Sequence, residues 1–532
     1  MMKTRFFLTA AAMAALMPLA AQETYENAKI ATEDLNGTAR YVGMGGAGDA
    51  LGADISTIST NPAGIGLFRH SKVDVSAGMV SQQDATDYSE GDATNLSFDQ
   101  VGFVWASRKS DSSFFNFAFN YHKSRNFDFI LSAADKWIDE SPDNPKHIDA
   151  SQNKLTYMKL YNDLLYNLRG ADGEFSIDHP TSSCNQLDDI YVRNLLFAAG
   201  DGNAHWYPAE RYVFDRAHKG YIGEYDFNFS GNINDRVYLG ITMGVHDVHY
   251  RHASDYTETL SANPENIGKL NVYDERKITG QGVDVKFGAI FRPIEYAPLL
   301  LGLSIHSPIW YDLNTRNYTE VSDGSYTAYG EESYDFKVFT PWKFGLSAGY
   351  TIGRVAAIGA SFDYADYGSM STRVNTDTHY DYYWGDYAVS SEKDRLMNQH
   401  TDRTLKGVAT VKVGAEVKPI PEMAIRAGYN YVSPLYDKDG FKDGTIRSNG
   451  TYYASATDFT NWKATNRFTI GVGYSLDKLN LDLTYQYSAS EGDFYPFMSY
   501  RDAEFIDYDN VANAVKVNNK RHQLLCTIGY TF

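Results

Sequence analysis

Hydrophobic and polar positions alternate along most of the chain beyond residue 70. The segment from Leu405 to Lys418 has one apolar face and one charged face. Its apolar positions are Leu405, Ala409, Val411, Val413, Ala415 and Val417, and its polar positions are Lys406, Thr410, Lys412, Glu416 and Lys418. Because successive side chains of a β-strand point to opposite faces, we predict a strand that separates two environments.

About fourteen segments share this alternation. They lie near 71–80, 97–108, 112–124, 220–231, 235–249, 278–292, 298–312, 334–351, 354–366, 403–418, 422–434, 462–477, 479–490 and 520–532. Most run to about ten residues or more, as tilted transmembrane strands do, whereas strands of soluble proteins usually have about five or six. A soluble β-sandwich would also alternate, with its apolar face turned inward.

The connections between these segments are alternately short and long. Short turns are predicted at Lys109–Asp111, Asn232–Asn234, Pro293–Pro298, Ile352–Gly353, Pro419–Pro421 and Asp477–Lys478. Outer-membrane barrels have short periplasmic turns and long outer loops, so this asymmetry favours a membrane protein over a sandwich. We predict an all-β fold, a transmembrane antiparallel β-barrel of about 14 strands over residues 70–532 with both barrel ends in the periplasm.

The composition agrees with a barrel in a membrane. Aromatic residues make up 14% of the chain and 41 residues are Tyr, a side chain suited to the boundary between hydrocarbon and water. The mean hydropathy is −0.42. No internal run approaches the roughly 18 apolar residues of a membrane-spanning helix. A barrel conceals its membrane signal in alternation, so a polar average is compatible with spanning.

Charge and cysteine content exclude several classes of function. The net charge of −19 argues against nucleic acid as a partner. Cys184 and Cys526 are too few for a disulfide framework or a zinc site. Gly345–Gly349 fits G-x-S-x-G but lies inside a predicted strand rather than at a strand-to-helix elbow, and no H-E-x-x-H pattern occurs, so we predict no enzymatic activity and no cofactor.

Two further patterns resemble metal sites, and neither is convincing. His246, His249 and His252 stand three residues apart on one predicted strand, where neighbours at this spacing face opposite sides. The acidic turn between Asp437 and Gly444 has Phe441 where an EF-hand needs an oxygen ligand. We therefore predict no metal site from the sequence.

The first residues form a targeting segment. Lys3 and Arg5 are its positive end, Phe6–Leu19 is the apolar stretch, and Ala20–Ala21 supplies small residues for cleavage. We predict a signal peptide at 1–21 and export of the mature chain to the cell outer membrane. The last strand alternates up to Tyr530 and Phe532, which we interpret as a signal for the barrel assembly machinery.

Residues 22–69 lack the alternation and are predicted to be an N-terminal extension and lumen plug. Small residues dominate them, among them Gly43, Gly45, Gly46 and Gly48, followed by Asp54. The first, second and fourth of these glycines fit G-x-G-x-x-G literally. That motif binds nucleotides only between a buried strand and a helix, and no such unit follows here. We predict that the segment packs inside the barrel.

The long connection at 125–219 is predicted to be an extracellular insertion. Leu155, Met158, Tyr161, Leu165 and Leu168 have helical spacing, and Leu187, Ile190, Tyr191, Asn194 and Leu195 indicate a second helix. The predicted result is a partly helical extracellular lobe over the barrel mouth. These helices either pack on the rim or help to capture ligand.

The motif Asn61-Pro62-Ala63-Gly64, with Asp54 and Ser56 ahead of it, resembles that of the FadL/TodX-type outer-membrane transporters of long-chain fatty acids and other hydrophobic compounds. The segment Gly302–Pro308 is similar to a strand motif of the same family. The resemblance implies a fourteen-stranded barrel with an N-terminal hatch, a lumen pocket and a sideways exit near the third strand. It leaves Asn61–Gly64 as either a moving gate or a static turn.

Two functions follow as hypotheses. The first is an uptake channel for hydrophobic compounds such as long-chain fatty acids, with the hydrophobic molecule and membrane lipid as partners of a monomer. The alternative is a non-transporting barrel of the same family that docks proteins for secretion or surface assembly. A polar porin is disfavoured, because the plug would block an aqueous path. The sequence gives neither the pocket residues nor the position of a wall opening, since the third predicted strand has no Gly or Pro.

Overall fold

The computed structural model describes residues 24–136 apart from 87, and residues 209–260, 268–294, 297–324, 327–381, 386–442, 456, 458–497 and 513–532. Within these residues the strands form one sheet of 19 segments. They are β1 (Lys72–Gln82), β2 (Thr94–Ser110), β3 (Ser113–Asn126), β4 (Phe129–Lys136), β5 (Ala209–Ile233), β6 (Val237–Leu260), β7 (Lys269–Phe291), β8 (Leu299–His306), β9 (Trp310–Ser322), β10 (Thr327–Phe339), β11 (Lys343–Ile352), β12 (Ala356–Asp366), β13 (Ser371–Asp381), β14 (Asp386–Lys393), β15 (Gly407–Ile420), β16 (Met423–Val432), β17 (Phe459–Leu476), β18 (Leu479–Tyr495) and β19 (Val515–Thr531).

The sheet closes into an antiparallel barrel of 14 strands. Five of these strands are interrupted and consist of two segments each, namely β3/β4, β8/β9, β10/β11, β12/β13 and β14/β15. Closure comes from pairing between the first and last strands, from Lys72–Thr531 to Gln82–Arg521. The predicted fold class and strand number are confirmed.

Along the membrane belt of the wall, large apolar side chains lie on the outer face, and most polar and charged side chains lie on the inner face. On β7, Val283 and Phe287 are about half exposed, whereas Asp284 and Lys286 between them are almost fully buried. The same inversion on β15 exposes Val413 and buries Lys412. An apolar surface around a polar interior is the arrangement of a barrel in lipid and is opposite to that of a soluble sandwich.

Helices contribute little to the wall. The described α-helices are α1 (Thr24–Ala31), α2 (Ala39–Gly43) and α3 (Arg395–Thr404), and the 3₁₀ helices are η1 (Ile55–Ile58), η2 (Pro62–Leu67) and η3 (Tyr367–Ser369). None of these described helices is both long and apolar enough to cross a bilayer. Helix α3 interrupts one wall strand between β14 and β15.

The strands extend further from the membrane than the alternation predicts. Segment β5 begins at Ala209 rather than near 220, and β4 continues the third strand to Lys136, so both ends of the predicted 125–219 insertion are wall strands. Above the apolar belt the outward side chains become polar, as at Lys277 and Gln281 on β7, and the apolar–polar contrast disappears. The two predicted helices and Cys184 lie outside the described residues.

One predicted lipid-facing position is wrong. Leu405 follows helix α3, is only 2% exposed and packs with buried side chains of the interior, and the strand itself begins at Gly407. Asp394 caps the helix by accepting a hydrogen bond from Met397 N at 2.9 Å. The helix therefore occupies residues that the periodic pattern assigned to the beginning of a strand.

The outer belt predicts the effect of a charge placed in it. Phe287→Arg would put a guanidinium into hydrocarbon near the middle of the outward face of β7. We expect the variant to lower the free energy of unfolding by about 2–4 kcal/mol, measured by urea titration in lipid vesicles. Gln281→Arg, on the same face of the same strand but above the apolar belt, should change it by less than about 1 kcal/mol. Equal effects of the two substitutions would contradict this assignment of the membrane boundary.

Candidate functional site in the barrel interior

The N-terminal segment, residues 24–68, lies inside the barrel. Almost all of its side chains are buried, although it is too irregular to form a core of its own. It contacts strands on different sides of the wall. Ala39 N donates to Thr527 Oγ1 on β19 at 2.7 Å, and Thr242 Oγ1 on β6 donates to Ile58 O at 2.8 Å.

A set of wall glycines brings this segment into direct backbone contact with the barrel. At each of them an added Cβ would collide with or crowd the segment's backbone. They are Gly240, Gly288, Gly349, Gly359, Gly414 and Gly428, which we call the glycine row. All six have a direct cross-strand neighbour in the row, paired as Gly240–Gly288, Gly349–Gly359, Gly359–Gly414 and Gly414–Gly428. Only a residue without a side chain permits such an approach.

The four glycines singled out in the segment lie where it meets the wall or folds on itself. Gly45 and Gly46 have φ values of +66° and +77°, which favour glycine. Gly45 faces the backbone of Tyr429, and the carbonyl of Gly43 accepts from Thr469 Oγ1 at 3.1 Å. Gly48 lies under the ring of Tyr41, within the segment.

Asp54 joins two parts of the segment. Its carboxylate accepts from Thr38 Oγ1 at 2.8 and 2.9 Å and from Ser56 N at 3.0 Å. Ser56 Oγ in turn accepts from Thr38 N at 2.8 Å. Arg40 adds an ion pair at 3.8 Å. Asp54 therefore fastens residues 37–40 to the turn ahead of the Asn61–Gly64 motif.

Residues Asn61–Gly64 form a buried turn at the end of the segment nearest the short connections. Asn61 Oδ1 accepts from Ala63 N at 3.2 Å and caps helix η2. The carbonyl of Pro62 accepts from Ser230 Oγ at 2.9 Å and from Asn228 Nδ2 at 3.3 Å. The motif is thus held by its own cap and by wall side chains of β5.

The two sequence motifs that carry the family resemblance meet in space. A Cβ added at Gly302 would lie 2.9 Å from Asn61 Nδ2, so the two residues face each other. His306 Nε2 lies 2.9 Å from the carbonyl oxygen of Thr60. Pro308 follows at the break between β8 and β9. Neither contact could be inferred from the separation of the motifs along the chain.

The other candidates are separated from this assembly. Tyr530 and Phe532 lie on the outer face with ring centroids 5.1 Å apart, and their role in assembly stays a prediction. His246 and His252 face the interior, whereas His249 is exposed on the opposite face of β6, as expected from their spacing. Within the acidic turn, Asp443 and Gly444 lie outside the described residues.

The upper cavity lies in the half of the barrel away from the short turns and measures about 220 Å³. Its apolar lining consists of Tyr25, Ala28, Phe127, Phe129, Leu131, Val432, Leu435, Tyr436, Ala456, Phe459 and Trp462. Seven Lys and Arg side chains line it, namely Lys29, Arg125, Arg216, Lys442, Lys463, Arg467 and Arg521, against four carboxylates, Glu26, Glu33, Asp34 and Asp458. The cavity is therefore cationic, although the chain as a whole carries −19.

Two smaller cavities adjoin it. The middle cavity measures about 150 Å³ and the side cavity about 40 Å³. Asp34 and Arg467 line all three cavities. Burial opposes ionisation of Asp34, but the charges of Arg125, Arg521 and Arg467 outweigh it and hold the pKa of the carboxyl below its ordinary value. The stretch around Asp34 thus separates the cavities as a charged partition.

The wall has a break in its hydrogen-bond ladder beside these cavities. Strands β2 and β3 pair from Ser110–Ser113 only as far as Gln100–His122. Beyond that point β2 continues to pair with β1, and β3 and β4 continue to pair with β5. The facing edges of β2 and β3 are therefore no longer paired with each other. The Gln82 side chain instead bonds the backbone of Ile130 at 2.6 and 2.7 Å. The third strand itself is interrupted between Asn126 and Phe129.

Residues 34–36 of the N-terminal segment occupy this break. Asp34 N donates to Ser124 O at 2.8 Å, and Asp34 Oδ2 accepts from Asn126 N at 3.1 Å. Asn36 Nδ2 bridges both sides, because it donates to Asp99 Oδ1 on β2 and to Lys123 O on β3, each at 3.1 Å. The segment supplies the partners that the neighbouring strand does not provide.

No protein-family model and no curated protein matches the chain. Among solved structures, a FadL homologue from Pseudomonas aeruginosa aligns with 94% of this chain and 100% of its own length, at 12% identity and a TM-score of 0.51. The toluene transporter TbuX from Ralstonia pickettii aligns over 94% of this chain and 99% of its own, at 10% identity and a TM-score of 0.48. The first of these likenesses establishes a shared fold.

Backbone contact at the glycine row makes a Gly→Ala substitution costly. In Gly359→Ala the new Cβ would overlap the carbonyl oxygen of Ala47. We expect the free energy of unfolding in detergent to fall by about 1–3 kcal/mol, and residues 24–68 to become cleavable by protease. Gly231→Ala is the matched control, because nothing lies within 4 Å of its added Cβ. If both variants resisted the protease as well as the wild type does, the segment would not be held at this row.

Proposed function

We propose that the protein is an outer-membrane uptake channel of the FadL/TodX type for hydrophobic compounds. The observation that carries the proposal is the apolar and cationic cavity inside a closed barrel, next to a break in its wall. The shared fold with the FadL homologue and the two motifs that meet at Asn61 support the same conclusion. Residues 1–21 would direct export, and the long connections would face the outside of the cell.

The lining of the upper cavity favours a ligand with an apolar body and an anionic head. Aromatic rings such as Tyr25, Tyr436 and Trp462 provide the apolar surface. Arg467 and Arg521 provide positive charge at the end nearest Asp34. Arginine binds a carboxylate in a planar, two-bonded geometry. A long-chain fatty acid has this combination of groups, whereas a sugar or an inorganic ion does not.

The break between β2 and β3 provides a sideways route for such a ligand. Moving an acyl chain from water to hydrocarbon is favourable by about 0.8 kcal/mol per CH₂, so release into the bilayer needs no further driving force. The glycine row seals the axial path, because the segment's backbone lies directly on the wall there. Ligand would enter from outside, bind in the upper cavity and leave between the two strands.

The gating part of the segment is then residues 24–36 rather than Asn61–Gly64. The motif is buried, capped and bonded to β5, which are the properties of a static turn. Residues 34–36 are held by a few side-chain and edge hydrogen bonds, each worth about 1 kcal/mol. The weaker attachment is the one that a ligand could displace.

A docking barrel of the same family is the second hypothesis. The feature that favours it is the long connection at 125–219, whose central part lies outside the described residues. The described residues include a lined cavity and a wall break, neither of which a docking surface needs. Transport therefore has the stronger support.

Ligand binding tests the proposed function directly. We expect palmitate to bind the purified barrel in native mass spectrometry, and Trp462→Ala to weaken its affinity about tenfold by removing aromatic surface from the upper cavity. Trp105→Ala is the matched control, since Trp105 faces outward on β2 and should leave the affinity unchanged. A barrel that binds no apolar compound and instead retains a stoichiometric protein would reject transport in favour of docking.

The bridge across the wall break gives a second test. Asn36→Ala removes both hydrogen bonds that join β2 to β3 through the segment. Two bonds of about 1 kcal/mol each correspond to a shift of tenfold or more in the opening equilibrium, so we expect faster entry of labelled palmitate into cells. Asn314→Ala, which removes an exposed bond to Asp335 at 2.8 Å, should not alter the rate. An unchanged rate for Asn36→Ala would place the exit elsewhere.

A further inference from the structure

Strands β3, β5, β6 and β7 bring a compact set of ionisable groups together on the inner wall. Each residue of the set is 7% exposed or less. The set consists of His122, Glu224, Asp226, His246, Asp284 and Lys286. The family resemblance assigns no role to these residues, and the uptake route described above does not use them.

One cation faces three carboxylates in this set. Lys286 Nζ lies 2.5 Å from Glu224 Oε1, 3.0 Å from Asp226 Oδ1 and 3.3 Å from Asp284 Oδ2. It therefore contacts one oxygen of each acid and leaves the other oxygen on the far side. With neutral imidazoles the buried set retains an excess of negative charge, which is costly away from water unless another cation balances it.

The remaining oxygens of Glu224 and Asp226 are directed towards the two histidines at distances longer than an ordinary hydrogen bond. His122 Nε2 is 3.5 Å from Glu224 Oε2, and His246 Nδ1 is 3.8 Å from the same oxygen. His122 Nδ1 lies 3.8 Å from Asp226 Oδ2. Two atoms that each lie about 2.1 Å from a tetrahedral metal ion are about 3.4 Å apart, close to this spacing.

Two atoms of this cluster have no hydrogen-bond partner among the described residues. They are Asp226 Oδ2 and His246 Nδ1, on side chains that are 0% and 1% exposed. Donor atoms of His122, Glu224 and Asp226 all lie within 4.8 Å of one another. Buried polar atoms are almost always paired, so two unpaired atoms pointing into one cluster indicate a missing positive partner.

We propose that His122, Glu224 and Asp226 form a binding site for one divalent transition-metal ion, such as Zn²⁺. One imidazole and two carboxylates are a ligand set that first-row dications accept, with the open positions left to water. His246 lies behind Glu224, with Nδ1 3.8 Å from Glu224 Oε2 and Nε2 3.1 Å from Asp284 Oδ1. The ion would balance the charge that Lys286 leaves.

The site is accessible and lies at a sensitive point of the wall. His122 and Glu224 both line the middle cavity, which provides a path for the ion. His122 is also the last residue of β3 that pairs with β2, at the base of the wall break. A bound ion would tie this residue to β5 and stiffen the edge of the break. Binding of the ion does not depend on transport.

Cobalt titration tests the site on the intact protein. Co²⁺ added to the barrel, purified without a histidine tag, should give visible absorption bands of a nitrogen–oxygen site and saturate at one ion per chain. One equivalent of Zn²⁺ should remove the bands. Absence of these bands from folded wild-type protein would overturn the proposal and leave Lys286 and protonated histidines as the only cations of the cluster.

Variants distinguish this site from surface binding. His122→Gln and Glu224→Gln should each weaken Co²⁺ affinity at least tenfold, which is a lower bound for losing a direct ligand. His249→Gln is the control, since it removes a histidine that faces outward on β6. Heat-modifiable migration on gels verifies that each variant is folded. Equal affinity of all three variants would mean that the ion binds elsewhere, and would also overturn the proposal.

Discussion

Direct backbone contact between the N-terminal segment and the glycine row is the constraint on which the rest of the interior depends. At Gly359, Gly414 and Gly428 the wall carries no side chain, and the segment lies where side chains would otherwise fill the lumen. Together with the hydrogen bonds from β5, this contact holds the Asn61–Gly64 turn against the wall, and residues 24–36 divide the space above into cavities.

The inverted polarity of the wall makes such an interior possible. Outward positions are occupied by apolar side chains that lipid solvates, so the inward positions are available for polar and charged groups. These groups are compensated in pairs and clusters, such as Arg216 with Asp458 at 2.6 Å and Lys412 with Asp363 at 2.7 Å. The upper cavity, where cations exceed carboxylates, and the cluster around Lys286, where carboxylates exceed cations, depart from this balance. Both departures point to molecules that bind there.

The break between β2 and β3 connects the wall to the segment mechanically. A strand edge without a neighbour leaves backbone groups unpaired, and within a membrane those groups need other partners. Asp34 and Asn36 supply them from inside the lumen. A change in the segment at these residues is therefore also a change in the wall, and under the proposed function it would couple ligand binding in the cavity to opening at its side.

The sequence by itself determined the barrel, its strand number and the face of each strand, because a period of two needs only local residue order and the hydrocarbon imposes it on every strand. It was correct for Val413 and Phe287, and it was wrong where that environment ends, as at Leu405 and at the beginning of β5. Only the tertiary structure decided which lumen groups meet: Asn36 with Asp99, Asn61 with Gly302, and His122 with Glu224. These contacts join residues far apart in the chain, and their distances depend on strand register, barrel closure and the course of a segment without periodicity, which no local pattern records.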